Sequence, residues 1–303
     1  MGISSPAGSI WFQGDWSDPW VEGIADALPR VQELRRLDPT SVWQVESGPP
    51  PDLLILHKNR LLPKDAELFA RWKAESAWPR FPATILCYGP FARYAELDRW
   101  LSLADVVIPE ATAPDTLPRR VERCLNLGPA PDAIDVGSVS AESAQVVVAS
   151  TNPDLRRTLA DLCAEWVPRV VAQADYRFEY AGRAEARASL RVGATITVID
   201  VPLLESGWEA GIERAAHWGP VIALFGFPSR SNVETARRLG AWACLDLPFD
   251  REDLAYTLRR CLRGVEAGRA AGLAGFEPGH QLPRPPVSFR VSNPKRPTTH
   301  RDP

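Results

Sequence analysis

Short apolar runs rich in β-branched residues alternate along the chain with longer stretches whose apolar positions recur every three to four residues. In the first half the runs Ser9–Gln13, Val42–Val45, Leu53–His57, Thr84–Gly89 and Val106–Pro109 predict strands. Helical periodicity falls near Pro19–Leu28, Asp65–Glu75, Tyr94–Leu103 and Asp115–Leu125. The second half repeats the order, with strands at Gln145–Ala149, Arg177–Tyr180, Thr195–Asp200, Val221–Gly226 and Ala243–Leu245. Its helices are better punctuated. Asn152 before Pro153 caps Asp154–Trp166. Ser231 with Glu234 reads as a capping box opening Asn232–Leu239, and Gly240 closes that helix. Asp250 caps Glu252–Leu262, which is expected to end before Gly264.

Strand–helix alternation of this kind predicts parallel sheets covered by helices on both faces. The two halves also align without a gap at an offset of 137, the difference between Cys261 and Cys124. Ile85 then meets Ile222, Gly89 meets Gly226, Arg93 meets Arg230, Leu117 meets Leu254 and Arg123 meets Arg260. A register held over about forty residues argues for internal duplication. The expected organisation is a first domain over 9–127, a Gly/Pro/Ala/Ser-rich linker over 128–143, a second domain over 144–264 and a proline-rich disordered tail over 265–303.

The second half resembles the receiver domain of two-component response regulators. Ile196-Thr197-Val198-Ile199-Asp200 is an apolar strand ending in an aspartate, where a receiver carries its phosphoacceptor. Leu239-Gly240-Ala241 followed by Leu247-Pro248-Phe249 is similar to the family's Gly-Ala motif and its Lys-Pro-Phe turn, and Asn152-Pro153-Asp154 to the opening of the first helix. The resemblance implies an α/β architecture of two tandem doubly wound parallel-sheet domains, flavodoxin-like and receiver-type, plus the tail. It also implies where chemistry should sit. A working receiver holds Mg²⁺ on an acidic pair after the first strand; the matching residues here are Ser150 and Thr151. Phe225 stands at the hydroxyl position, Leu247 at the lysine of the turn and Cys244 at the switch aromatic. Only Asp200 is kept, as a phosphoacceptor candidate or an inherited strand-end carboxylate, and Mg²⁺ on it alone should bind weakly.

In the first copy His57 stands at the phosphoacceptor position, Tyr88 at the hydroxyl and Glu110 at the turn lysine, followed by Ala111 in place of the proline. A histidine can take phosphate or metal, but without acidic partners it reads as a strand-end hydrogen-bonding residue. Asp15 lies near the lost acidic pair.

Composition changes little. The net charge of -3 over 303 residues gives no electrostatic reason to expect nucleic acid or an anionic membrane as partner. Five scattered cysteines without a CxxC pair read as reduced core residues, and no metal site or cofactor is expected. The first eight residues carry no leader pattern and no run is long enough to span a membrane, so a cytoplasmic protein is expected. Phosphate-loop, GxSxG and HExxH motifs are absent from the sequence.

Function is therefore expected on surfaces. Asn232–Leu239, Trp242–Leu245 and Glu252–Leu262 correspond to the fourth helix, fifth strand and fifth helix, through which receivers pair with partners or with a second copy. Trp242, Arg237, Arg238, Arg259 and Arg260 are the interface candidates on that face. The sequence thus favours a non-catalytic signalling or scaffold protein that acts on protein partners, with the two domains able to pack pseudo-symmetrically. Its rivals are a regulator phosphorylated on Asp200 and a small-ligand or nucleotide sensor at the sheet edge.

Overall fold

Each half of the chain folds its apolar runs into one five-stranded parallel sheet. The computed structural model describes residues 8–29, 33–39, 49–92, 94–125, 144–175, 195–202 and 207–270. The first unit runs β1 (Ser9–Gln13), α1 (Pro19–Asp26), β2 (Glu33–Leu37), β3 (Leu53–Lys58), α2 (Pro63–Glu75), β4 (Ala83–Tyr88), α3 (Tyr94–Leu101), β5 (Val106–Pro109) and α4 (Ala113–Cys124). The second runs β6 (Gln145–Ala149), α5 (Pro153–Ala164), β7 (Arg169–Gln173), β8 (Thr195–Val201), α6 (Trp208–Ala216), β9 (Val221–Gly226), α7 (Arg230–Arg238), β10 (Ala241–Leu247) and α8 (Arg251–Ala270). The strand orders are β2-β1-β3-β4-β5 and β7-β6-β8-β9-β10. Both are the 2-1-3-4-5 order of the flavodoxin-like, receiver-type fold, whose ligand sites lie beyond the carboxyl ends of the strands.

Central strands such as Leu53-Leu54-Ile55-Leu56 are buried on both faces, so they read as continuous apolar runs. The 137-residue register carries over to the packing. Ile85 packs with Val21 and Ile24 of α1 and Leu117 and Val121 of α4; Ile222 packs with Leu159 and Cys163 of α5 and Leu254 and Leu258 of α8. The opposite face of the first sheet is aromatic: Phe69 and Trp72 of α2 and Trp100 of α3 meet Leu54, Leu56 and Leu86. These tryptophans are core residues, and Trp100 is fully buried. The free cysteines Cys87, Cys163, Cys244 and Cys261 are buried and Cys124 partly so.

Three expectations change. The second strand of each sheet is Glu33–Leu37 and Arg169–Gln173, while the expected Val42–Val45 and Arg177–Tyr180 lie outside the described residues. Both second strands are sheet edges whose side chains are mostly exposed, so a charged sequence such as Glu-Leu-Arg-Arg-Leu suffices there. The cap of α7 is Ser229, which accepts from the Asn232 amide, and Ser231 lies inside the first turn. Helix α8 runs through Gly264 to Ala270, because a glycine in a helix interior costs only about 1 kcal/mol. The remaining tail, 271–303, lies outside the described residues.

Gly240 closes α7 with φ +107°, and a Cβ there would meet the Ala216 methyl at 2.6 Å. Gly240→Ala is expected to lower the urea midpoint by the equivalent of about 1 kcal/mol or more, since positive φ disfavours every residue with a Cβ.

Candidate functional site

The carboxyl ends of the two sheets hold different chemistry. In the second unit Asp200 lies in β8, one residue before its end, and its Oδ2 accepts a hydrogen bond from Ser150 Oγ at 2.7 Å. Ser150 is fully buried. Its hydroxyl also receives the Asn152 amide, and its carbonyl takes the Arg156 guanidinium at 2.6 Å. The residue at the expected acid-pair position is thus a neutral link between β6 and β8. Thr151 is exposed. One carboxylate beside a neutral hydroxyl does not fit Mg²⁺, which prefers several hard, charged oxygens, and among the described residues no three His, Cys, Asp or Glu side chains converge as a metal site.

The other matching positions are apolar and packed. Phe225 is fully buried, edge-on to Trp208 at 6.1 Å. Leu247 is half-buried before the Pro248 turn. Cys244 is buried, and burial pushes its thiol up to about 12.

In the first unit the corner is filled by a buried histidine–carboxylate hydrogen bond. His57, at the end of β3, places Nε2 2.7 Å from Glu110 Oε2, just past β5, with both side chains about 2 % exposed. In sequence these two places match the aspartate and lysine of a receiver; here a histidine and a carboxylate hydrogen-bond to each other. Tyr88, at the end of β4, is half-buried, and burial followed by the charge of Asp246 pushes its hydroxyl up to about 12. Asp15 is exposed and receives the Ser17 hydroxyl at 2.6 Å, which lowers its carboxyl below the usual range.

The second unit completes this corner. Arg230, in the first turn of α7, donates through Nε to Glu110 Oε1 and through Nη2 to Glu110 Oε2 at 2.8 Å. The same Nη2 reaches Asp18 Oδ2 at 2.6 Å. Asp18 is already the cap of α1, its other oxygen accepting from the Trp20 amide. The Arg230 guanidinium lies 5.4 Å from the Trp20 ring, whose indole N–H donates to Glu234 one turn further along α7. Burial raises the Glu110 carboxyl, but the hydrogen bonds and charges of His57 and Arg230 outweigh it and hold the group below its ordinary value. Burial likewise disfavours charge on Arg230, and Glu110 and Asp18 overcome that penalty.

The seam between the units continues along α4. Asp115, in its first turn and 1 % exposed, takes Arg237 of α7 and the Cys244 backbone N–H of β10 at 2.8 Å on one oxygen. It therefore satisfies an edge-strand amide of the other sheet. Further along, Arg119 pairs with Glu252, Arg120 with Asp250 and Asp253, and Arg123 with Asp250. Thr112 donates to Asp246 at 3.2 Å. Signs alternate: the first unit offers acids at Asp18, Glu110 and Asp115, then arginines along α4, and the second unit the reverse. Trp20 and Ala111 add the apolar part, packing into the core of Phe225, Val233, Ala236 and Cys244.

The contact is not pseudo-symmetric. The second unit uses α7, β10 and α8, whereas the first uses α1, the β5–α4 turn and α4. Of the five candidate interface residues, Arg237 hydrogen-bonds across the seam. Arg238 turns to Thr235 and Arg259 to the Ala255 carbonyl on their own helices. Trp242 packs on its own unit's core with the Arg260 guanidinium 5.1 Å from its ring. The seam residues that sequence reasoning passed over include Asp18, Trp20, Asp115, Arg120, Asp253 and Arg230. Arg230 had one signal, its coincidence with Arg93 in the repeat register.

No protein-family model matches this chain, and no curated protein is similar to it. Solved structures with some likeness include a pilus assembly-related protein from Burkholderia pseudomallei, 20% identical over 41% of this chain and 92% of that one, TM-score 0.33. Another is the C-terminus of E. coli RcsC with its phosphoreceiver domain, 14% identical over 89% and 98%, TM-score 0.33. A third is described as a two-component system response regulator/GGDEF domain protein, 12% identical over 86% and 99%, TM-score 0.36. The second description names a phosphoreceiver domain and the third a two-component response regulator.

Proposed function

We propose that this chain is a non-catalytic signalling or scaffold protein built from two pseudo-receiver units, a relative of two-component regulators that works without phosphorylation, metal or cofactor. The observation that carries this reading is the first unit's corner. The place where a receiver accepts phosphate holds the His57–Glu110 pair, clamped by Arg230 from the neighbouring unit. A phosphoryl group there would meet Glu110, a fixed negative charge, in place of lysine. In the second unit the one surviving acceptor, Asp200, is hydrogen-bonded to Ser150 and belongs to no group of three metal-ligating side chains among the described residues.

Protein partners are the remaining outlet for such a scaffold. The α7–β10–α8 face supplies the inter-unit contact, so external partners are expected to use other surfaces of the pair. Incubation with a small acyl phosphate and Mg²⁺, followed by intact-mass analysis, tests the reading. Unchanged mass is expected; a phosphoaspartate that disappears in Asp200→Asn would sink it.

A further inference from the structure

A sheet edge presents a row of backbone amides and carbonyls that can pair with a further strand, and folds commonly blunt or cover it. Of the four edge strands here, three are managed in this way. Asp115 takes the Cys244 amide of β10. Strand β5 is 4 residues long and ends in Pro109. Strand β2 carries Glu33, Arg35 and Arg36, with the two guanidiniums 4.8 Å and 4.5 Å from the Trp11 and Trp16 rings. The fourth edge, β7, reads Arg-Val-Val-Ala-Gln, and its single charge stands at the first residue. Val171 at its centre is 41% exposed. Among the described residues no strand pairs with its outer side.

The direction of its backbone groups follows from one hydrogen bond. Gln173 turns its carbonyl inward to the Ser150 amide. These groups alternate along a strand, so Arg169 and Val171 also face β6, while Val170 and Ala172 turn N–H and C=O outward. That outward row is complementary to itself. In an antiparallel pair with a two-fold axis at Val171, Val170 stands opposite Ala172 of the other chain and the two exchange both hydrogen bonds. Val171 then meets its own copy in the close, non-hydrogen-bonded position. Arg169 faces Gln173, so no like charges are opposed. Pro168, next in the outward series, lacks an N–H and ends the ladder.

We propose that β7 pairs antiparallel with β7 of a second copy of this chain, joining the two second-unit sheets into one. The side chains suit this occupant. Val170 packs on the core of Val146 and Val148, whereas Val171 lies beside Val147 on the other face. There the Val171 of a second copy covers the surface that one chain leaves exposed. Such pairing leaves the inter-unit seam untouched, because β7 and β10 are opposite edges of the sheet. It is also independent of any phosphate on Asp200.

Sedimentation of the full chain over a range of concentrations tests the proposal. Association to twice the mass of one chain is expected, and Val171→Lys, which sets two ammonium groups face to face, should abolish it. Cross-linking gives a readout that does not rest on that variant. In a Cys124→Ser background, Val171→Cys should form a disulfide-linked dimer on mild oxidation. The close position has a Cα separation of about 4.5 Å, within the range a disulfide spans. Arg35→Cys on the β2 edge should stay uncoupled. A chain that remains monomeric at every concentration would overturn the proposal. So would a dimer that Val171→Lys leaves intact, or one that Arg35→Cys cross-links as readily as Val171→Cys.

Discussion

Replacing Glu110 with alanine will lower the stability of the chain by about 3–5 kcal/mol, the range for removing one partner of a buried ion pair. Glu110 is the only carboxylate bonded to His57 and the main one bonded to Arg230 among the described residues. Its loss leaves a histidine fully enclosed and a guanidinium three-quarters enclosed, with Asp18 alone as counter-ion. Urea unfolding at pH 7 measures the loss. The acid limb of the stability profile provides a second readout. Since the Glu110 carboxyl is held below 4.5, its contribution is complete above the ordinary carboxylate range and is lost as pH falls through its folded value. Glu110→Ala should therefore lose stability at neutral pH and lack that part of the acid-induced decline. Glu110→Gln keeps the shape without the charge and should show the same flattening.

Asp115→Ala will have an effect of similar size, also about 3–5 kcal/mol, by a different route. The substitution strips the acceptor from the Cys244 amide and the counter-ion from Arg237, which is 12% exposed. Two buried donors are then left without partners. Adding Arg237→Leu to Asp115→Ala should restore a large share of the loss, because the stranded charge goes with it. A double-mutant cycle in which the two effects simply add would show that the residues do not act as a pair.

The fold was legible because its central strands and helix faces are written in apolar periodicity, and because the two halves align in sequence at a constant offset. The edge strands were not, since Glu33–Leu37 and Arg169–Gln173 bury little and need no apolar pattern. The candidate positions could be named from sequence, yet their partnerships could not. His57 and Glu110 are 53 positions apart, and their pairing depends on the register between β3 and β5 through β4. Arg230 reaches Glu110 from 120 positions away. Asp115 looks in sequence like an ordinary first-turn acid of a helix, and only the approach of the second sheet makes it the acceptor for an edge amide. Trp242 illustrates the converse: an aromatic at the start of an edge strand reads as a contact residue, but Arg260 and the underlying core take it in.

Helix α8 gives the seam a mechanical reach. Its first turn is the part gripped by α4, through Asp250, Glu252 and Asp253. The helix then continues for 20 residues in all, about 30 Å at 1.5 Å per residue. The same helix is packed on its own sheet through Leu254, Leu258 and Cys261, so its gripped first turn and its core contacts lie on one rod. The grip of Arg119 and Arg120 is thus carried by α8 straight into the core of the second unit.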